Sequence, residues 1–194
     1  MFRLRLFILL SLLMVCLPAS AADSASAEAV LKQNLGAVFG VLQKEGLTQE
    51  AKNKEVVDLV SPMFDFPLMA KLTLGRKYWS GLTDEQQERF TRLFVHRLRT
   101  SYLDRLTLYT DEKVVYEAPV ENNRKVQIPT YVVSKDKKIS ILYKFYGSEA
   151  GWKIYDLEIQ GVSIIRSYRA QFDQILQTGT FEDLLAKMEN PGGK

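Results

Sequence analysis

The order of hydrophobic periods predicts an α+β domain, a curved antiparallel four-stranded sheet with helices packed on one face. Three observations lead there. Apolar residues recur at helical spacing as far as Leu106, switch to strand patterns from about Lys113 to Gln160, and return to helical spacing after Gly161. Gaps rich in Asn, Lys, Asp, Gly and Ser separate the strand segments, which is hairpin chemistry and makes neighbouring strands antiparallel. The 194 residues contain no internal repeat, linker or low-complexity run, so one sizeable core in one domain is enough.

The opening residues read as a secretory leader over 1–22, followed by a single domain over 23–194. Arg3 and Arg5 give a basic start, Leu6 to Leu17 is apolar apart from Ser11, and Pro18 to Ala22 supplies the small residues that a peptidase needs. The apolar stretch is shorter than the roughly 20 residues of a membrane-spanning helix, and cleavage is expected after Ala21 or Ala22. Cys16, the only cysteine, lies inside this leader behind Met14 and Val15, not behind the small residues of a lipoprotein site. The mature chain is then expected to be cysteine-free and soluble. Loss of Arg3 and Arg5 lowers the formal charge of +3 to about +1, which gives no support for nucleic-acid binding. The basic clusters at Arg97-Leu98-Arg99 and Lys135-Asp136-Lys137-Lys138 read as the solvent face of a helix and a hairpin tip.

The elements follow in order. Leu31, Leu35, Val38, Phe39 and Leu42 give a helix over Ala27 to Leu42, which stops near Gly46. A second helix over Glu50 to Val60 ends at Ser61-Pro62, because the residue before proline is pushed out of the helical region. A short third helix covers Pro67 to Leu74, with Gly75 suited to a left-handed cap. Thr83-Asp84-Glu85-Gln86 is a capping box opening a long helix, whose stripe is Phe90, Leu93, Phe94, Leu98, Tyr102 and Leu106. Strands follow at Val114 to Tyr116, Lys125 to Val133, Lys138 to Tyr146 and Trp152 to Gln160. Pro129 implies an edge position or a bulge in the second of them. A helix from Ser163 to Leu176 and a short one from Thr180 to Met188 close the chain before a frayed tail over Asn190 to Lys194.

Catalytic chemistry has little to work with. His96, the single histidine, sits in the long helix, and the sequence has no metal-ligand spacing, nucleophile elbow or phosphate-cradling glycine loop. Two carboxylates are open to either reading. Asp156 beside Tyr155, or Asp65 near Tyr78, has the makings of an acid/base pair. Alternatively Asp156 marks a bulge or pairs with Arg166 or Arg169, and Asp65 caps the helix that starts near Pro67.

The most informative stretch is Trp152 to Phe172. Tyr155, Leu157 and Ile159 alternate with polar neighbours, and after Gly161 the apolar spacing shifts to Ile164, Ile165, Tyr168 and Phe172, so a strand turns straight into a helix. This segment, with Trp152, Asp156, Gly161, Ser163 and Tyr168-Arg169, closely resembles a signature of the MlaC-type periplasmic phospholipid-transport proteins, also called toluene-tolerance auxiliary proteins. Phe64-Asp65-Phe66, Met69, Leu74-Gly75-Arg76, Tyr78-Trp79, Thr83, Gln86 and Phe90 resemble the other signature of that family, so the likeness spans most of the mature chain.

The resemblance implies an elaborated nuclear-transport-factor-like cone with a lipid cavity between sheet and helices. It implies a soluble, non-enzymatic periplasmic carrier without cofactor or metal, acting as a monomer to maintain outer-membrane lipid asymmetry. Its partners would be phospholipid, an inner-membrane ABC-transporter complex and an outer-membrane lipoprotein complex. Candidate cavity residues are then Leu93, Phe94, Leu98 and Tyr102 on the long helix and Ile141, Tyr143 and Phe145 on the third strand. Leu157, Ile159, Ile164 and Ile165 join them from the signature segment, and Arg169 is a candidate head-group contact or else a structural ion-pair partner. The residues by themselves favour an ordinary dry core, and it is the resemblance that turns part of this interior into a cavity. An enzyme acting on a lipophilic substrate and a structural adaptor without a cavity stand as the alternatives.

Overall fold

The structure is a computed structural model that describes residues 20–103, 113–134 and 137–190. Nearly all of the expected leader, Leu106, the hairpin tip at Lys135-Asp136 and the end of the tail lie outside the described residues.

Helix α1 spans Ser20–Leu42, longer at its start than the apolar spacing predicted, since the Ala- and Ser-rich run before Ala27 has no stripe to read. Helix α2, Gln49–Val60, is capped by Thr48 and passes into a 3₁₀ turn, Ser61–Met63, with Pro62 in its first turn. Helix α3, Phe66–Trp79, is two helical pieces joined at Gly75, whose φ of 68° and ψ of 166° break the helical path. Gly75 thus has the positive φ expected of it, but in an extended conformation, and the chain resumes helical geometry afterwards. Helix α4, Asp84–Leu98, opens with the full Thr83–Gln86 capping box and widens into a π-helical turn, Arg99–Leu103.

Among the described residues the sheet has six strands where four were expected. Strands β1 (Lys113–Tyr116), β3 (Lys125–Ser134), β4 (Lys137–Ser148) and β5 (Gly151–Ile159) match the expected ones. The additions are β2 (Val120–Asn122) and β6 (Val162–Ser163), both too short to carry a readable alternation. All neighbours are antiparallel, in the order β1-β3-β4-β5-β6, with β2 pairing β3 beyond the end of β1.

Pro129 is not on an edge strand. It sits within β3, between β4 and the point where β1 gives way to β2, and its carbonyl accepts from the Glu117 N–H at 3.0 Å. The donor that proline lacks falls where the chain leaves the ladder through Ala118-Pro119, so the missing hydrogen bond costs the sheet little.

Helices α5 (Ile164–Thr178) and α6 (Phe181–Glu189) follow, capped by Ser163 and by a Thr180–Asp183 box. Three apolar clusters hold the domain together. The first joins α3, α4, α5 and α6 around Phe90, Phe94, Tyr168 and Phe172. The second packs α1 on the inner face of β3, β4 and β5, and the third joins the end of α1 to α2 through Val38, Val41, Leu42 and Val56. Trp79 packs edge-on against Phe90 at 6.3 Å and Trp152 donates from Nε1 to Ser26 Oγ at 2.6 Å, so both are framework.

Candidate functional site

The three clusters meet without closing, and the space left between them is a cavity of about 380 Å³. Alternation on the strands decides which side chains face it. Register pairs Val114 with Val132, Val132 with Ile139, and Ile141 with Ile159, so these residues share one face, and all of them line the cavity.

Strand β5 would break this pattern but for a bulge. Lys144 pairs with Asp156 and Phe145 with Ile154, leaving Tyr155 as the extra residue. Below the bulge Ile154 therefore faces inward together with Leu157 and Ile159, and all three are on the wall. Tyr155, expected to alternate inward with Leu157, is turned out against Tyr146 and the Lys125 ammonium.

The opposite wall comes from the helices. The whole α1 stripe of Leu31, Leu35, Val38, Phe39 and Leu42 lines the cavity, with Val56 and Val60 of α2. Phe64 adds itself to the free edge of β5 through a parallel bridge to Ile154, where the Asp65 N–H donates to the Ile154 carbonyl at 3.0 Å. This brings Phe64 and Phe66, stacked at 5.5 Å, and then Met69 to the wall. Leu98, Arg99 and Tyr102 enter from the junction of α4 with the π turn.

Polar groups are few on this surface. The buried Tyr143 phenol is pushed up well above the ordinary tyrosine range by loss of hydration and stays neutral. Among the described residues Arg99 is the only charged side chain on the wall. It is exposed to solvent, and its Nη2 donates to Ser61 Oγ at 3.4 Å, which places this pair at the mouth. A second depression of about 510 Å³, bounded by Asn122 to Lys125, Tyr146 and Gly147, is shallow, polar-rimmed and open.

Of the candidate residues, Leu98, Tyr102, Ile141, Tyr143, Leu157, Ile159 and Ile164 lie on the cavity wall. The others are elsewhere. Phe94, Leu93 and Ile165 belong to the helical cluster, with Phe94 edge-on to Tyr168 at 5.4 Å, and Phe145 is sealed against α1 in the sheet cluster. Arg169 is exposed and its guanidinium lies against Gly75, away from the wall. The α1 stripe, Phe64, Phe66, Ile154 and Arg99 were not among the candidates. The α1 stripe and the Arg97-Leu98-Arg99 cluster were visible as patterns, but nothing in them told what they would face.

The two carboxylates are structural. Asp156 is buried and accepts from Lys144 Nζ at 3.1 Å, Ser163 Oγ at 2.8 Å and the Ile165 N–H at 3.2 Å, so Lys144 takes the place expected for Arg166 or Arg169. Arg166 reaches Glu158 instead. Burial alone would lower the Lys144 pKa, but hydrogen bonds to Glu158 and Asp156 outweigh it and hold the ammonium above its ordinary value. Asp65 caps α3 by accepting from the Leu68 N–H at 2.9 Å, and its other oxygen accepts from the Tyr146 hydroxyl, not from Tyr78. Neither carboxylate is on the cavity wall. The described residues contain no group of three or more His, Cys, Asp and Glu side chains able to hold a metal ion.

The model of the MlaC protein family matches residues 32–190. The chain belongs to the MlaC family. A curated relative, the intermembrane phospholipid transport system binding protein MlaC of Haemophilus influenzae, is 27% identical over 118 residues, which is 58% of this chain and 55% of that one. The matched stretch thus spans about half the length of this MlaC relative. Among solved structures, the fold is similar to that of the phospholipid-binding protein of Ralstonia solanacearum, determined in complex with a phospholipid, with a TM-score of 0.73. That likeness covers 86% of this chain and 94% of the other at 24% identity, a match of fold. Both segments that carry the resemblance contribute to the wall, the first through Phe64, Phe66 and Met69 and the second through Ile154, Leu157, Ile159 and Ile164.

Proposed function

We propose that this protein is a periplasmic phospholipid carrier that buries acyl chains in the cavity between sheet and helices. It shuttles lipid between an outer-membrane lipoprotein complex and an inner-membrane ABC-transporter complex, and so maintains outer-membrane lipid asymmetry. It does this as a monomer over residues 23–194, after removal of a leader over 1–22. The observation that carries this reading is the cavity itself, apolar on every side, open to solvent beside Arg99, and bare of paired carboxylates or metal ligands among the described residues.

Physical chemistry says why such a carrier is useful. Exposing an acyl chain of about 14 methylenes to water costs roughly 11 kcal/mol at about 0.8 kcal/mol per CH₂. Apolar walls solvate the chain as a bilayer does and remove that barrier without covalent chemistry. No described helix is long and apolar enough to cross a membrane, so membrane insertion and ATP hydrolysis fall to the partners in this scheme.

Native mass spectrometry of the purified protein tests the proposal. A co-purifying phospholipid, released on denaturation and identified by its fragments, is the expected result. Protein that remains at its apo mass after equilibration with phospholipid vesicles overturns it.

A further inference from the structure

The arginines of α4 and the turn after it differ in what they hold. Arg89 pairs with Glu182 at 3.1 Å and Glu189 at 2.9 Å, and Arg92 lies 3.6 Å from Glu88. Arg97 donates to the Lys187 and Met188 carbonyls and so closes the end of α6. Arg99 pairs with no carboxylate among the described residues, and its partner is the neutral Ser61 hydroxyl. That hydroxyl already donates to the Val57 carbonyl at 2.6 Å, so it offers Arg99 a lone pair and holds the guanidinium in place. A guanidinium carries five N–H donors, and among the described residues only Ser61 takes one from Arg99, at the mouth of a cavity that those residues line with no other charge.

The local backbone puts it there. Where α4 widens into the turn Arg99–Leu103, Leu98, Arg99 and Tyr102 all border the cavity, and π turns of this kind recur at functional sites. A cation with spare donors at the rim of an apolar cavity suits an anion whose remaining atoms are apolar. Resting on the reading of the cavity as an acyl-chain site, we infer that Arg99 binds the phosphodiester of the loaded phospholipid, with Ser61 as its positioning residue. The planar fork matches two non-bridging phosphate oxygens, and the phosphate is common to all glycerophospholipids, so the contact recognises the class without choosing a head group.

The test compares two lipids with the same chains, phosphatidylglycerol and diacylglycerol, each carried as a labelled trace in phosphatidylcholine vesicles and equilibrated with the full chain. Wild type should load the phospholipid about tenfold better, a difference of about 1.4 kcal/mol. Arg99→Gln should bring the two close to parity while loading diacylglycerol as wild type does, and Arg99→Lys should fall between. Arg92→Gln, the same charge change at an exposed ion pair, should leave the preference intact. The inference is overturned if Arg99→Gln keeps the wild-type preference, or if wild type loads both lipids equally. If wild type loads neither, the acyl-chain reading fails first and this inference with it. Excess chain-free glycerophosphocholine at constant ionic strength should not alter the preference, and erasure would assign Arg99 to a soluble phosphate ester instead of a lipid.

Discussion

The guanidinium of Arg169 lies over the backbone of Gly75 so closely that a Cβ at position 75 would stand 2.3 Å from Nη2 and 3.0 Å from Cζ. Two segments far apart in sequence, α3 and α5, thereby meet at this glycine. The φ of 68° and ψ of 166° at Gly75 belong to a region that residues with a side chain avoid.

Gly75→Ala should therefore destabilise the domain by about 1–3 kcal/mol, read from the midpoint of urea unfolding. Lipid loading of the folded fraction should persist, because Gly75 is not on the cavity wall. Combining the change with Arg169→Ala should recover little, since the backbone conformation and not the flexible guanidinium sets most of the cost. Full recovery in the double variant would show that the contact matters more than φ.

Ile141 faces the cavity on β4 between Ile139 and Tyr143. Ile141→Asp would set an ionised carboxylate beside acyl chains, whereas Ile141→Ala only trims the wall. Co-purified phospholipid should fall at least tenfold in the aspartate variant and less than threefold in the alanine variant, by quantitative lipid extraction, a gap of about 0.7 kcal/mol or more. Unchanged lipid in a folded Ile141→Asp protein would place the ligand elsewhere.

Asp156 holds Lys144 to the start of α5, and both side chains are largely buried. Asp156→Ala would strand the Ile165 N–H and leave Lys144 with Glu158 alone, a loss of about 3 kcal/mol in chemical denaturation. A cost under about 1 kcal/mol would mean that water replaces the carboxylate without penalty.

The Tyr146 phenol is pushed up to about 12, first by its hydrogen bond to Asp65 and then by burial. A folded-state pKa above the unfolded one favours the native state at pH values below the unfolded pKa, and the advantage is lost as pH rises from about 10 to about 12. Stability should decline across that window, and Tyr146→Phe should make the decline shallower. Spectrophotometric titration should show that the tyrosine missing in the variant is a late-titrating one, and a loss of amplitude in the ordinary tyrosine range near 10 would contradict the Asp65 contact.

If tail burial dominates and Arg99 reads only the phosphate, zwitterionic and anionic phospholipids should load comparably from mixed vesicles. Selection of one head group by more than about a hundredfold, or 2.7 kcal/mol, would require a polar site beyond Arg99 and Ser61.

The sequence by itself determined the order of the helices and of the four longer strands, the Thr83–Gln86 capping box and the antiparallel pairing. Each is a local matter of which side chains satisfy which backbone groups, as with Thr83 and Gln86, or of period, as in β4. It also carried the family likeness through Trp152 to Phe172. What only the tertiary structure decided was which apolar residues bound a void and which close a core. Phe94 and Leu98 share one helical stripe, yet Phe94 meets Tyr168 and is sealed while Leu98 meets the cavity. Tyr155 and Ile154 exchanged faces because one bulge shifted the strand by a residue; Asp156, which the sequence allowed to mark a bulge, borders it, but the alternation alone does not tell which neighbour is turned out. Arg99, one of several surface cations by sequence, became the one charge on the wall among the described residues only when the π turn and Ser61 brought it to the mouth. Periodicity records that a side chain is turned away from water, and what it is turned toward depends on elements remote in the chain.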